Sequence, residues 1–192
     1  MKIASWNCRG IGNMSVRKHV KLLLNMTKAD VLYLLELRTN KIGAMVGMVN
    51  NLGFSKHFLV ETNGFAGGLL LLWKHGQMNI DIIGQSSQAI HASVKDGLTE
   101  CLITFAYVRP NVLAKTRFWE DCKAFNSSTQ SHWVLLGDLN DIASAEEQWG
   151  SEAVSQNALQ RFCDAYNSCG LFDMGASGSR FTWCRQAGNR VV

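Results

Sequence analysis

The stretch Trp133-Val134-Leu135-Leu136-Gly137-Asp138-Leu139-Asn140 decides the fold, because an apolar run passes directly into a polar turn. The run from His132 to Leu136 predicts a buried strand. Gly137 then allows a tight turn that presents Asp138 and Asn140 in nearby space. Gly-Asp-x-Asn is short and also arises by chance, so its weight depends on what the other predicted strands place beside it.

Three more apolar strands are predicted to end in a polar residue that strand packing does not require. These residues are Asn7 after Ile3–Trp6, Glu36 after Val31–Leu35 and Tyr107 after Ile103–Ala106. If the four strand ends lie on one side of the sheets, they bring together two carboxylates, two carboxamides and a phenol. Taken separately, each residue also fits a turn former, a helix cap or a half-buried strand position.

Taken together, these side chains suit a hard cation and a phosphate. Mg²⁺ prefers oxygen ligands and takes only one or two protein carboxylates, which leaves positions for water and phosphate. Glu36 is the expected metal ligand, and Asp138 is expected to align or deprotonate a water molecule. Asn7 and Asn140 can hydrogen-bond a phosphate or orient a partner side chain without adding negative charge, and Tyr107 can donate to a phosphoryl oxygen. The set predicts phosphoryl transfer by positioning and charge stabilisation.

The predicted elements follow the order β-α-β-α, then a meander of strands, then α-β-α-β. Ser15 is the expected N-cap of the first helix, which extends to about Lys28, and Phe181–Trp183 is the expected start of a late strand. Further helices are predicted at 42–51, 113–126 and 156–169, with strands at 56–61, 68–73, 79–83, 89–95 and 100–107. Short connections favour largely antiparallel pairing. The pattern predicts an α/β (α+β) fold with two sheets packed face to face and helices outside.

Composition predicts one ordinary globular domain over residues 1–192. The chain is 47% hydrophobic and 18% charged, which argues against disorder. The longest apolar stretch, around Gly67–Trp73, is too short to cross a bilayer, and the N-terminus lacks the apolar segment of a secretory signal. Six cysteines show no zinc-ligand spacing. They predict reduced thiols in an intracellular protein without a membrane partner.

The net charge of +4 is unevenly distributed along the sequence. Residues 1–60 carry nine Lys and Arg against two acids, and the last nineteen residues carry three Arg and no acid. Basic surface at both ends of the chain suits a polyanionic partner such as nucleic acid. The solvated surface of a slightly basic protein explains the same numbers.

An ordered set of short motifs resembles the endonuclease/exonuclease/phosphatase superfamily, which includes apurinic/apyrimidinic endonucleases, DNase I-like nucleases and the endonuclease domains of LINE-type retrotransposons. The motifs are Ser5-Trp6-Asn7-Cys8-Arg9-Gly10, Leu34-Leu35-Glu36, Gly67–Trp73, Ala106-Tyr107-Val108, Arg117-Phe118-Trp119, Gly137–Asn140, Gly170–Gly175 and Phe181-Thr182-Trp183. Each motif is weak alone, but their order and spacing match over nearly the whole chain. The first, third and last look most like plant LINE-type (non-LTR) retrotransposon sequences.

The resemblance implies a four-layered, DNase I-like sandwich and phosphodiester cleavage that depends on Mg²⁺ or Mn²⁺. It also implies a role for each matching residue: Asn7 and Glu36 at the metal, Tyr107 and Arg9 at the phosphate, Asp138 and Asn140 beside the attacking water, and Thr182 near the site. In the retrotransposon branch the substrate is DNA, the location is nuclear, and a longer parent carries a reverse transcriptase.

The family pattern continues with elements that this sequence lacks. An Arg-Leu-Asp-Arg-like strand and a Ser-Asp-His-like ending should supply a metal-side Asp and the catalytic His, yet no Asp, Glu or His follows Asp173. The expectation is a C-terminally truncated domain, without its last strands and catalytic His segment, that has little or no activity. Two alternatives remain: a catalytically dead remnant that at most binds nucleic acid, and the same fold acting on a phosphoinositide or sphingolipid.

Overall fold

A computed structural model describes residues 1–62, 64, 67–76, 78–128, 131–149, 153–179, 181–182, 186–187 and 190–191. The chain forms two compact units. The first comprises residues 1–109 and 130–139, and the second comprises residues 110–129 and 140–192. Within the described part of the chain, no helix is both long and apolar enough to cross a membrane.

The first sheet of the first unit has four strands in the spatial order β1-β2-β4-β3. Their bounds are β1 Ile3–Asn7, β2 Val31–Leu35, β3 Phe54–Val60 and β4 Leu69–Lys74. The strands β1 and β2 pair in parallel, whereas β4 pairs antiparallel with both β2 and β3. The parallel pair aligns Asn7 with Leu35, so β1 and β2 end side by side.

The second sheet also has four strands, which follow one another in space as they do in sequence. Their bounds are β5 Asn79–Gln85, β6 Ala89–Asp96, β7 Thr99–Tyr107 and β8 Trp133–Asp138. The first three strands form an antiparallel meander, whereas β8 pairs in parallel with β7. This parallel pair aligns Tyr107 with Asp138, so the second sheet also ends in two adjacent polar residues.

Two helices pack against one face of the first sheet. They are α1, Met14–Thr27, and α2, Gly43–Asn50. Val16, Val20 and Leu24 form the buried stripe of α1, at the spacing that puts apolar residues on one helical face. The prediction that Ser15 caps α1 is wrong: Asn13 is the N-cap, and its side chain accepts a hydrogen bond from the Ser15 amide.

The other face of the first sheet packs against the second sheet. This inter-sheet core is built from alternate residues of each strand, including Tyr33 and Leu71 from the first sheet and Ile90 and Phe105 from the second. The Tyr33 and Phe105 rings are 5.3 Å apart, and both side chains are fully buried. Two largely antiparallel sheets packed face to face, with helices outside the first, confirm the predicted sandwich.

The second unit is helical where its larger elements are described. It contains α3, Val112–Ser127, and α4, Gln156–Ser168, with a 3₁₀ turn at Ala145–Glu147. The aromatic rings of Trp119 and Phe162 join α3 to α4 at 6.0 Å. Two short strands, β9 Gln186–Ala187 and β10 Arg190–Val191, pair antiparallel.

The prediction of a late strand beginning at Phe181 is wrong for the two residues described there. Phe181 and Thr182 have irregular backbone, and Trp183 lies outside the described residues. The phenyl ring of Phe181 instead makes an edge contact with Trp149, at 6.2 Å between ring centroids. A strand requires a hydrogen-bonded partner, which three residues of local pattern do not supply.

Candidate active site

Four of the predicted polar residues meet where the two sheets end. Asn7 and Glu36 stand at the ends of the parallel strands β1 and β2, and Tyr107 and Asp138 at the ends of the parallel strands β7 and β8. Parallel strands deliver their carboxyl ends to the same edge of a sheet, and both sheets do so at the same side of the sandwich. The structure therefore brings these four residues together.

The carboxamide of Asn7 joins the two acids across the gap between the sheets. Its Nδ2 donates to Glu36 Oε1 at 2.9 Å and to Asp138 Oδ2 at 2.9 Å. The Tyr107 hydroxyl interacts with the same Glu36 carboxylate, and this interaction contributes to the raised pKa of Tyr107. A neutral amide with two N–H donors can hold two carboxylates near one another, where direct contact between them would be repulsive.

Glu36 occupies its place through an unusual backbone conformation. Its φ is 56° and that of Arg38 is 57°, in the left-handed region that L residues rarely adopt. Hydrogen bonds from the Leu37 amide to Gly68 O (3.2 Å) and from the Arg38 amide to Gly67 O (3.0 Å) hold this segment. Such conformations persist where neighbouring structure over-determines them, and they concentrate at functional sites.

Gly137 brings Asp138 into line with Tyr107. Its φ is 142°, and a Cβ at this position would lie 1.9 Å from the carbonyl oxygen of Ala106. Only glycine permits β7 and β8 to approach this closely at their ends. The Val108 amide then donates to Asp138 O at 2.9 Å, which extends the pairing past the candidate site.

Arg38 is a member of the cluster that the sequence analysis missed. Its Nη2 lies 2.8 Å from Glu36 Oε2, so both oxygens of Glu36 accept a hydrogen bond, one from Asn7 and one from Arg38. The sequence carries no local signal for this contact, because it depends on the positive φ of both Glu36 and Arg38. Leu37 between them is fully buried.

The pKa values follow from this network. Burial acts to raise the pKa of Glu36, but hydrogen bonds from Asn7, Arg38 and Tyr107 outweigh it and lower the pKa below its usual value. Burial and the hydrogen bond to Glu36 raise the pKa of Tyr107 far above its usual range. At neutral pH, Glu36 is therefore ionised and Tyr107 keeps a proton that it can donate.

The remaining predicted site residues are Arg9, Asn140 and Thr182. Arg9 is exposed, with φ of 50°, and its backbone amide donates to Asn7 Oδ1 at 3.3 Å. Asn140 and Thr182 belong to the second unit, where both are exposed. There the backbone carbonyl of Asn140 accepts a hydrogen bond from Lys115 Nζ at 2.6 Å. The roles of these three residues stay predictions.

Each of the five histidines has a place in the first unit away from the strand ends that form the cluster. His91 is buried in β6, with Nδ1 2.8 Å from Thr104 Oγ1, and His132 precedes β8 at the end opposite Asp138. His19 packs its ring edge against Trp6 from α1. The other two are His57, in the middle of β3, and His75, in the turn after β4.

The donor set fits a hard divalent cation held by few protein ligands. Among the described residues, no group of three or more His, Cys, Asp or Glu side chains is placed to hold a metal ion. Mg²⁺ requires no such group, since one or two carboxylates plus water and phosphate oxygens complete its shell. Glu36 is the carboxylate of lowered pKa here, and Asp138 shares its Asn7 partner. Glu36 would hold the ion, in exchange for its contact with Arg38.

Comparison with solved structures identifies the fold of the chain. No family model and no curated protein matches the chain, but solved structures do. The 3′ phosphatase NExo from Neisseria, bound to a product DNA hairpin, aligns with a TM-score of 0.63 and 17% identity over 88% of this chain and 71% of its own. An AP endonuclease from Archaeoglobus fulgidus aligns with a TM-score of 0.62 and 16% identity, over 88% and 69%. The chain has the endonuclease/exonuclease/phosphatase fold.

A third structure of this fold is more distant. TDP2 from D. rerio, in complex with a single-strand DNA product, aligns with a TM-score of 0.54 and 16% identity over 73% of this chain. The chain spans 60% of that protein's length. These structural alignments establish the DNase I-like fold. Because the sequence identities are low, the activity has to be argued from the site.

Proposed function

We propose that this protein is a divalent-metal-dependent phosphodiester hydrolase that acts on nucleic acid, with DNA as the substrate. The observation that carries the proposal is the Asn7 carboxamide, which holds the carboxylates of Glu36 and Asp138 together at the end of the sandwich. Packing of the strands does not require two acids and a bridging amide at this place. The chemistry of phosphodiester cleavage does, since it needs a metal ligand and a group that activates water.

Each residue of the cluster has a task that its surroundings support. Glu36 is ionised and would hold Mg²⁺ or Mn²⁺, which supplies charge neutralisation at the phosphate when bound. Asp138 orients and deprotonates the attacking water. Tyr107 keeps its proton because its pKa is raised, and donates it to a non-bridging phosphate oxygen. Asn7 fixes the separation of the two acids.

The substrate assignment rests on a resemblance and on charge. The structures of NExo and of TDP2 contain DNA products, and the motif pattern resembles the LINE-type retrotransposon endonucleases. Residues 1–60 carry nine Lys and Arg against two acids, which suits a polyanion. The finer proposal is a DNA-nicking endonuclease of a plant retrotransposon, made as part of a nuclear protein with a reverse transcriptase.

A second candidate function is a nucleic-acid-binding remnant without catalysis. The placement of the five histidines favours it, because none extends from the strand ends that carry Asn7, Glu36, Tyr107 and Asp138. In that case the basic surface is retained while the chemical step is lost. Salt-dependent DNA binding without cleavage would identify this function.

The conversion of supercoiled plasmid to open circles tests the two candidates. The hydrolase proposal expects nicking that requires Mg²⁺ or Mn²⁺ and that falls about 10²–10⁴-fold in Asp138→Asn, which removes a general base. Glu36→Gln should raise the metal concentration needed for half-maximal nicking. Glu100→Gln, an exposed acid of β7, is the matched control and should nick like the wild type. Nicking that persists in EDTA or in both site variants contradicts the proposal.

A further inference from the structure

Tyr33 carries a buried hydroxyl group that the roles assigned above do not use. The residue lies in the middle of β2, the strand that leads to Glu36, and its side chain is 0% exposed. Among the described residues, its Oη has no hydrogen-bond partner. A buried hydroxyl without a partner is unfavourable, and native proteins rarely keep one unless water or another group completes it. The hydroxyl of Tyr33 therefore points to such a group.

Strand alternation places Tyr33 in the layer of side chains directly beneath the candidate site. Every second residue of a strand faces the same side of its sheet, so the inter-sheet face of β7 carries Phe105 and then Tyr107. The same face of β8 carries Leu136 and then Asp138, the last residue of the strand. The Tyr33 ring packs on Phe105, at 5.3 Å between ring centroids. One step along each strand of the second sheet therefore leads from this layer to the site.

Asp138 is the charged group that interacts with the Tyr33 hydroxyl. Burial, and after it the negative charge of Asp138, raise the pKa of Tyr33 well above its usual value. The hydroxyl therefore keeps a proton that it can donate. No direct hydrogen bond joins the two groups, so they interact across a longer gap. A water molecule is the usual connection between a donor and an acceptor that face each other across such a gap.

We propose that the Tyr33 hydroxyl holds the Asp138 carboxylate through one buried water molecule, which makes Tyr33 a positioning residue. The hydroxyl donates to the water oxygen, and the water donates to a carboxylate oxygen of Asp138. The Nδ2 of Asn7 holds the same carboxylate at 2.9 Å. Two donors carried by the first sheet then fix the orientation of an acid that belongs to the second. The inference rests on the proposed function for its effect on the chemical step, but not for the contact itself.

The alternative is a hydroxyl that stays without a partner inside the core, and Tyr33→Phe distinguishes the two. Removing an unpartnered buried hydroxyl stabilises a protein, whereas removing one that binds a carboxylate through water destabilises it. Urea unfolding followed by tryptophan fluorescence measures the difference. The proposal expects a lower urea midpoint for Tyr33→Phe than for the wild type, and the alternative expects a higher one.

A double-mutant cycle identifies Asp138 as the partner. In Asp138→Ala the water has lost the carboxylate, so adding Tyr33→Phe should leave the urea midpoint unchanged or raise it. Asp138→Asn is a second background in case the alanine variant does not fold. There the loss caused by Tyr33→Phe should shrink, because a neutral acceptor forms the weaker hydrogen bond. Tyr166→Phe is the matched control. Tyr166 belongs to the second unit, where its hydroxyl interacts with Cys163, and its effect should be the same in every Asp138 background.

Nicking kinetics separate a positioning role from a merely structural one. At saturating Mg²⁺, Tyr33→Phe should lower kcat for plasmid nicking about tenfold, because the acid that activates water is held less firmly. The KM for DNA and the Mg²⁺ concentration for half-maximal rate should stay unchanged. Tyr166→Phe should nick like the wild type. A high-resolution crystal structure should show an ordered water between Tyr33 Oη and the Asp138 carboxylate, and Tyr33→Phe should lose it.

The outcomes separate this inference from the proposed function. A higher urea midpoint for Tyr33→Phe, an effect that does not depend on Asp138, or a crystal structure in which Tyr33 Oη bonds another group overturns the inference. Coupling between the two residues with an unchanged kcat overturns the positioning role. Coupling without any nicking by the wild type upholds the contact and refutes the hydrolase, whereas nicking without coupling does the reverse.

Discussion

Replacing Asn7 by alanine removes both hydrogen bonds that its amide donates, to Glu36 at 2.9 Å and to Asp138 at 2.9 Å. It also leaves two carboxylates facing one another with no donor between them. A hydrogen bond to a charged group contributes about 1.5–3 kcal/mol. Because the site is only partly buried and water screens it, we take the lower end for each bond. The expected loss in free energy of unfolding for the two bonds is about 3 kcal/mol near pH 7.

The dependence of this loss on pH follows from the pKa of Glu36. Its pKa is lowered in the folded state, so the ionised carboxylate stabilises the fold above its unfolded pKa. That contribution disappears as the pH falls through the lowered folded value. Asn7 supplies the largest of the hydrogen bonds that lower this pKa. The difference between wild type and Asn7→Ala should therefore shrink on acidification rather than stay constant.

Urea unfolding followed by tryptophan fluorescence measures the difference, from about pH 7 down to about pH 3. Asn79→Ala is the matched control, because Asn79 Nδ2 donates to an exposed carboxylate, Asp81, at 2.8 Å. This surface change should cost no more than about 0.5 kcal/mol. A loss for Asn7→Ala that is as small as the control's, or that is the same at both ends of the pH range, would refute the reasoning.

Three other changes test separate parts of the structure. Gly137→Ala places a Cβ 1.9 Å from Ala106 O and should lower the free energy of unfolding by about 3 kcal/mol or more. Gly76→Ala is the control: nothing lies within 4 Å of a Cβ there, and the change should cost about 1 kcal/mol. The urea concentrations at the unfolding midpoints of the two variants compare these effects. Burial raises the pKa of Cys8 to about 11, so iodoacetamide near pH 8 should alkylate Cys8 only after the protein unfolds. Peptide mass spectrometry measures the labelling, and rapid labelling of Cys8 in the folded protein would contradict this prediction. Phe105→Ala should lower the free energy of unfolding by about 3–5 kcal/mol, because Phe105 lies between the sheets and is 0% exposed. In the same urea assay, Leu98→Ala at an exposed position should lower it by about 0.5 kcal/mol or less.

The strand ends of the candidate site were predictable because each combines an apolar run, which indicates a buried strand, with a polar residue directly after it. The run Val31–Leu35 is apolar enough to be buried on both faces, and all five residues are buried. A charged residue directly after such a run, as Glu36 is, must face the edge of the sheet. Two parallel pairs then bring these ends together without any further signal from the sequence.

The residues that were missed depend on backbone geometry or on distant contacts. Arg38 reaches Glu36 because both have positive φ, and the sequence carries no sign of that conformation at a non-glycine residue. Asn13 and Ser15 are both good N-caps, and two positions of shift in the helix start decide between them.

The amide of Asn7 also ties the motions of the two sheets to each other. Asn7 and Glu36 come from one sheet, and Asp138 comes from the other. If the two sheets move relative to each other, the distance between the two acids changes before any strand unfolds. If the protein is the proposed hydrolase, its nicking activity should therefore stop at milder denaturant concentrations than those that abolish the circular dichroism of the strands. Hydrogen exchange at the Val108 amide, which bonds Asp138 O, would report the same early opening.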